Sequence, residues 1–185
     1  MDAPLARPAD AYRLVTARLR AREMDEGDLD FVAAMLGDPQ VMRWYPAPLT
    51  HDEARAWVER QQGRYLADGH GLWLIERRDT GEPVGQCGLS MQQVDGLREP
   101  EVGYLLAHAH WKQGYAIEMA RAVRDWAFAR YPDRRIISLI RPENLPSRGV
   151  AERNGMVVEG TTERVGWAHL VYAARAGVLP PRVFC

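Results

Sequence analysis

The chain has 185 residues, 46% hydrophobic and 26% charged, and 24 basic residues against 25 acidic ones leave a net charge of −1. That balance describes one globular unit able to bury a core. It excludes a disordered chain, and it supplies no global attraction for nucleic acid or an anionic membrane. Two cysteines, Cys87 and Cys185, make no disulfide framework, and with no ligand-spaced Cys/His cluster no metal is expected.

Residues 1 to 11 read as a loose arm and 179 to 185 as a tail, with one domain over 12 to 178. The opening MDAPLARPADAY holds no apolar stretch of the signal-peptide kind and nothing later resembles a spanning segment, so a cytoplasmic protein is expected. YRLVTARLRARE (12–23) reads as a first strand. Asp25 then opens a helix in which Leu29, Val32, Ala33 and Leu36 share a face. Pro39, Pro46 and Pro48 mark a loop carrying Trp44 and Tyr45. Thr50 with Glu53 forms a capping box for a second helix, whose face carries Ala54, Trp57, Val58, Gln61 and Tyr65.

GLWLIERR (71–78), the turn DTGEP and VGQCGLSMQQ (84–93) predict a hairpin, followed by the loop VDGLREP and a strand EVGYLLA (101–107). From Gly114 a helix is expected, with Ala116, Ala120, Val123 and Ala127 inward, ending before Pro132. RRIISLI (134–140) suits a buried strand, PENLPSRGVAERNG a short helix, and two more strands close the chain.

Gly114 raises the chemical question. A strand, a short connection and a helix start leave the first helical amides without intrahelical partners, with the positive end of the helix dipole behind them. Phosphate oxygens fit such a place, and the small Gly114 and Ala116 allow a ligand to reach the main chain. Neither GxxxxGK[ST] nor GxGxxG is present, so this is no Walker or dinucleotide loop. Gly85 and Gly88 are read instead as sites of close strand packing.

Several stretches together resemble the GCN5-related N-acetyltransferase superfamily and, within it, the ribosomal-protein N-terminal acetyltransferases of the RimJ/RimL group. Trp111-Lys112-Gln113-Gly114-Tyr115-Ala116 is similar to the pyrophosphate loop Q/R-x-x-G-x-G/A, with Trp111 in the leading place. EVGYLL resembles the family's fourth strand, TARLRARE its opening, PENLPSRGVAERNGM its P-E-N-x-x-S segment, and GWAHLVYAARAG its closing strand. The resemblance implies a mixed α/β (α+β) domain: a mostly antiparallel sheet of six to seven strands, splayed in the middle, flanked by about four helices.

It also implies acetyl-CoA as acyl donor and a primary amine as acceptor, either a protein N-terminus or a small amine, with direct attack in a ternary complex. Leu105 and Leu106 would hydrogen-bond the pantetheine arm with Asn144. Lys112, Gln113, Gly114, Tyr115, Ala116 and Ile117 would hold the diphosphate. Glu101 is the candidate general base, the alternative being a strand-edge acid paired with an arginine such as Arg98. Ser147 is the candidate donor to the leaving thiolate, the alternative being a helix cap. The proton-donating tyrosine that many members carry seven residues after the asparagine is replaced by Ala151. That departure keeps open a catalytically silent acyl-CoA-binding module.

Trp44 and Tyr45 would line the acceptor pocket. A cationic acceptor would favour acids there, and Asp95 and Glu99 are compatible. His51, His108 and His110 are assigned no chemistry, and a homodimer stays open beside a monomer.

Overall fold

A computed structural model describes residues 8–177, so most of the predicted arm and the whole predicted tail, Cys185 included, lie outside the described residues. Eight strands form one sheet in the order β1-β2-β3-β4-β5-β6-β8-β7. They are β1 (Tyr12–Val15), β2 (Leu19–Arg22), β3 (Leu72–Arg77), β4 (Pro83–Val94), β5 (Leu97–Leu106), β6 (Ile136–Ile140), β7 (Val157–Arg164) and β8 (Trp167–Ala174). Among the described residues five α-helices accompany them: α1 (Leu29–Leu36), α2 (Pro39–Met42), α3 (His51–Asp68), α4 (Tyr115–Arg130) and α5 (Leu145–Arg153).

Strand alternation sorts β3 into two faces. Trp73 and Ile75 join Met119, Ala120, Val123 and Ala127 of α4, while Leu72 and Leu74 join Val32, Leu36, Ala54 and Val58 of α1 and α3. The sheet is therefore covered on both sides. The expected capping box forms: the Glu53 amide donates to Thr50 Oγ1 at 3.3 Å and the Thr50 amide to Glu53 Oε2 at 2.7 Å. Gly88 packs as expected, because a Cβ there would lie 2.0 Å from the Gly71 carbonyl oxygen.

Three expectations need correction. Residues 12–23 do not form one strand. The Thr16 amide donates to the Leu19 carbonyl at 2.8 Å, closing a turn that folds β2 back on β1. VDGLREP is not a loop either: Asp95 and Gly96 both take positive φ, the geometry of a two-residue hairpin turn, so β5 begins at Leu97. Inside the proline-marked loop, Asp38 accepts the Gln40 amide at 2.8 Å and, with Pro39 at the first helical position, starts the short α2.

The join between the two halves of the sheet positions the site. β5 and β6 run parallel and register at a single pair, Glu101 with Ile137. Ser138 Oγ takes the Val102 carbonyl at 2.7 Å, and past that point the strands part.

Candidate active site

The parting strands open a cleft of about 470 Å³. β5 from Glu101 to Leu105, β6 from Ser138 to Ile140, and Asn144 and Ser147 of the α5 start line its floor and one side. Trp44, Tyr45, α3 and the tip of the β7–β8 hairpin complete the walls. Trp44 and Tyr45 thus fall at the cleft, together with Trp57 and Trp167.

Glu101 is 9% exposed. Its Oε1 accepts the Leu139 amide at 3.2 Å, and its Oε2 lies 3.8 Å from Arg164 Nη1. Burial raises its carboxyl above the ordinary range, and Arg164, the Leu139 amide and Gln92 only partly oppose this. The cation beside it is not Arg98, which pairs with Asp68 at 2.5 Å. Nor do the two loop acids reach the cleft: Asp95 accepts from Thr162 Oγ1, and Glu99 is bound by Arg135.

Alternation along β5 sorts the main-chain groups. The Ala107 amide donates to Val84 of β4 at 3.0 Å, whereas the Val102 carbonyl faces β6. Leu105 accordingly turns its peptide groups toward β4 and gives the cleft its side chain. Tyr104 and Leu106 turn theirs toward the gap. The Leu106 carbonyl is already held by Trp111 Nε1 at 2.9 Å, which fixes the chain entering the next turn.

That turn runs Lys112–Gly114 outside the cleft, with Lys112 at φ 61° and Gly114 at φ 81°. Gly114 precedes α4, and the first amide the helix uses is that of Glu118, donating to Gly114 O at 3.1 Å. Among the described residues the amides of Gln113, Gly114, Tyr115, Ala116 and Ile117 have no main-chain acceptor in this turn. The result is a cluster of donors at the positive end of a 16-residue helix.

Sequence reasoning missed Arg18 here. Its Nη1 donates to the Gln113 carbonyl at 3.0 Å, its Nε pairs with Glu118 at 2.7 Å, and it lies over the Tyr115 ring. The only signal for it was its place in TARLRARE.

At the other wall, Asn144 Oδ1 accepts the Ser147 amide at 3.2 Å, so Asn144, not Ser147, caps α5. Ser147 lines the cleft beside Tyr104. Ala151 is buried in the core and does not line the cleft. A phenol stands there nonetheless. Tyr104 donates to the Ser147 carbonyl at 2.8 Å, and burial pushes its hydroxyl up, so it keeps its proton. No group of three or more candidate metal ligands and no helix long and apolar enough to cross a membrane occurs among the described residues.

A buried acid beside a gap in a sheet, with a donor cluster at the helix start that follows β5, is an arrangement able to take up a proton and to hold an anionic ligand. The family model described as "Acetyltransferase (GNAT) domain" matches residues 18–157, and the chain belongs to that family. Bacillus subtilis protein YkkB is 36% identical over 165 residues, covering 89% of this chain and 96% of YkkB. An acetyltransferase structure from Agrobacterium tumefaciens C58 aligns with TM-score 0.76 at 29% identity, over 88% of this chain and 93% of that one. RimL, a ribosomal L7/L12 alpha-N-protein acetyltransferase solved with coenzyme A, shares the fold at TM-score 0.72 and 22% identity, over 89% and 97% of the two chains. The chain is an acyltransferase of this family, and the family's chemistry is acyl transfer from an acyl-CoA to an amine.

Proposed function

We propose that the protein transfers the acetyl group of acetyl-CoA to a primary amine by direct attack in a ternary complex. The observation that carries this reading is the buried Glu101 at the single rung where β5 and β6 part. The diphosphate would rest on the amides from Lys112 to Ile117, with Arg18 positioning the turn and Lys112 adding charge. The pantetheine arm would run along the gap beside Tyr104, Leu106 and Asn144, in place of the missing strand pairing.

Glu101 takes a proton from the incoming ammonium, and its raised basicity suits that step. The amine lone pair then forms the C–N bond at the thioester carbonyl. An amide facing the gap, from Tyr104 or Leu106, receives the developing oxyanion. As the C–S bond breaks, the second proton of the attacking nitrogen passes to the departing thiolate, whose charge the Ser147 and Tyr104 hydroxyls, both at the cleft, would stabilise by hydrogen bonding.

Trp111 at the loop start and Ser147 on α5 support a RimJ/RimL-like placement, in which peptide N-termini join small amines as acceptors. Ala151 in the core favours a silent acyl-CoA-binding module as the second reading. Thiol release from acetyl-CoA across peptide N-termini, amino acids, polyamines and aminoglycosides separates them. Amine-dependent release that collapses in Glu101→Gln supports transfer, whereas acetyl-CoA binding without release from any amine supports the silent module.

A further inference from the structure

The walls of the cleft carry a charge pattern that the transfer chemistry does not require. Four guanidinium groups line it, those of Arg60, Arg64, Arg141 and Arg164, against one carboxylate, Glu101. Arg141 is already committed, stacked 3.9 Å over the Trp167 ring and 3.5 Å from Glu143. The other three converge from two elements, α3 and β7.

Arg60 and Arg64 stand one turn apart on α3, Arg60 over the Trp57 ring at 5.2 Å and Arg64 bonded to Gln61 Oε1 at 3.3 Å. Arg164 comes from the end of β7, beside a hairpin tip where the β-branched Val165 is held at φ 53°. Burial holds the Arg64 guanidinium below its ordinary range, Arg60 and Arg164 push it the same way, and Glu101 and Asp68 oppose them. Like charges lining one cleft that holds a single carboxylate cost free energy that an arriving anion would relieve. A polycation would meet the opposite field.

We infer that the acceptor is a small amine that also bears an anionic group, a carboxylate or a phosphate, with its amine at Glu101 and its anion against Arg60, Arg64 and Arg164. Size points the same way, because the 470 Å³ must also admit the thioester end of the donor. Trp44, Tyr45 and Trp57 offer flat surfaces for the body of such a molecule. This inference rests on the proposed acetyl transfer and names its substrate class.

The test gives the full chain acetyl-CoA and matched acceptors. Amino acids are compared with their methyl esters, phosphoethanolamine with ethanolamine, and spermidine, kanamycin and an uncharged hexapeptide N-terminus complete the panel. Thiol release gives kcat/KM, and tryptophan fluorescence gives binding without turnover. At least one carboxylate or phosphate amine should exceed its neutralised counterpart in kcat/KM by about tenfold or more, as expected for a charge-assisted contact.

Arg64→Gln should raise KM for that amine by a clearly larger factor than for its ester, and be partly rescued by Arg64→Lys. The carboxylate and phosphate arms tell which anion is preferred. Esters, polycations or the peptide matching or outrunning every anionic amine would overturn the inference and leave acetyl transfer standing. Selective binding of anionic amines with no thiol release from any acceptor would overturn the transfer reading and, with it, the assignment of such an amine as acceptor. No turnover and no binding with any anionic amine would overturn it.

Discussion

Glu101 carries a cost in stability at the place where the proposed transfer needs a base. Its folded-state carboxyl lies above the ordinary range because burial penalises the ionised form. The native state therefore binds a proton more tightly than the unfolded chain does. Stability should fall as pH rises from the ordinary carboxylate range through the raised value. Glu101→Gln removes that penalty, so thermal melts should show the variant more stable than the parent at neutral pH and level with it in acid. The same substitution should lower turnover by about 10²- to 10⁴-fold. In the parent, a pH–rate profile should lose activity on the acid side above the usual carboxylate range, and that limb should be absent from the residual rate of the variant. Ser147→Ala and Tyr104→Phe should each lower kcat with little change in coenzyme A affinity measured by calorimetry. A double variant worse than either would mean that both hydroxyls serve the leaving thiolate.

At the scale of elements, the start of α4 and the start of α1 carry separable burdens. Gly114 sits at φ 81°, where a side chain is strained, and a Cβ would meet Arg18 Nη2 at 3.3 Å. Gly114→Glu should lower coenzyme A affinity by about tenfold or more, by placing a negative charge on the donor cluster, with circular dichroism unchanged. At α1 the load is structural. Arg22 bonds Asp28 through two nitrogens at 2.7 Å each and Glu76 through Nε at 2.6 Å, all three residues being buried. Arg22→Met leaves the buried Asp28 without its arginine and Glu76 with Arg20 alone, and should cost about 3–5 kcal/mol in denaturant unfolding.

How far such elements are legible in sequence depends on whether their signal is local. The Thr50/Glu53 box, the DTGEP turn and the helix start at Gly114 are written in a few adjacent residues. The turn at Thr16–Arg18 hides because its hydroxyl and arginine are satisfied by Glu118, some hundred positions away. VDGLREP has the composition of a loop, yet only Asp95 and Gly96 turn. Arg60 and Arg64 show helical spacing in the sequence, but nothing there brings Arg164 opposite them.

For the whole molecule, two half-sheets meet at one rung. β1 to β5 form one antiparallel ladder and β6 to β8 another, both leaning on α4 and α5. Hydrogen exchange should therefore find the amides of Tyr104, Leu106 and the 112–117 turn poorly protected, and coenzyme A should slow them selectively. Uniform slowing across both ladders would argue against a ligand lodged between them.

An absent pairing invites a small molecule to act as mortar. A donor at a hundredfold excess over its Kd would add roughly 2.7 kcal/mol to the folded state, a large share of what holds an ordinary domain together. The steady amount of this polypeptide in a cell should then rise and fall with the thioester pool it consumes, so that starving the pool also thins out the catalyst.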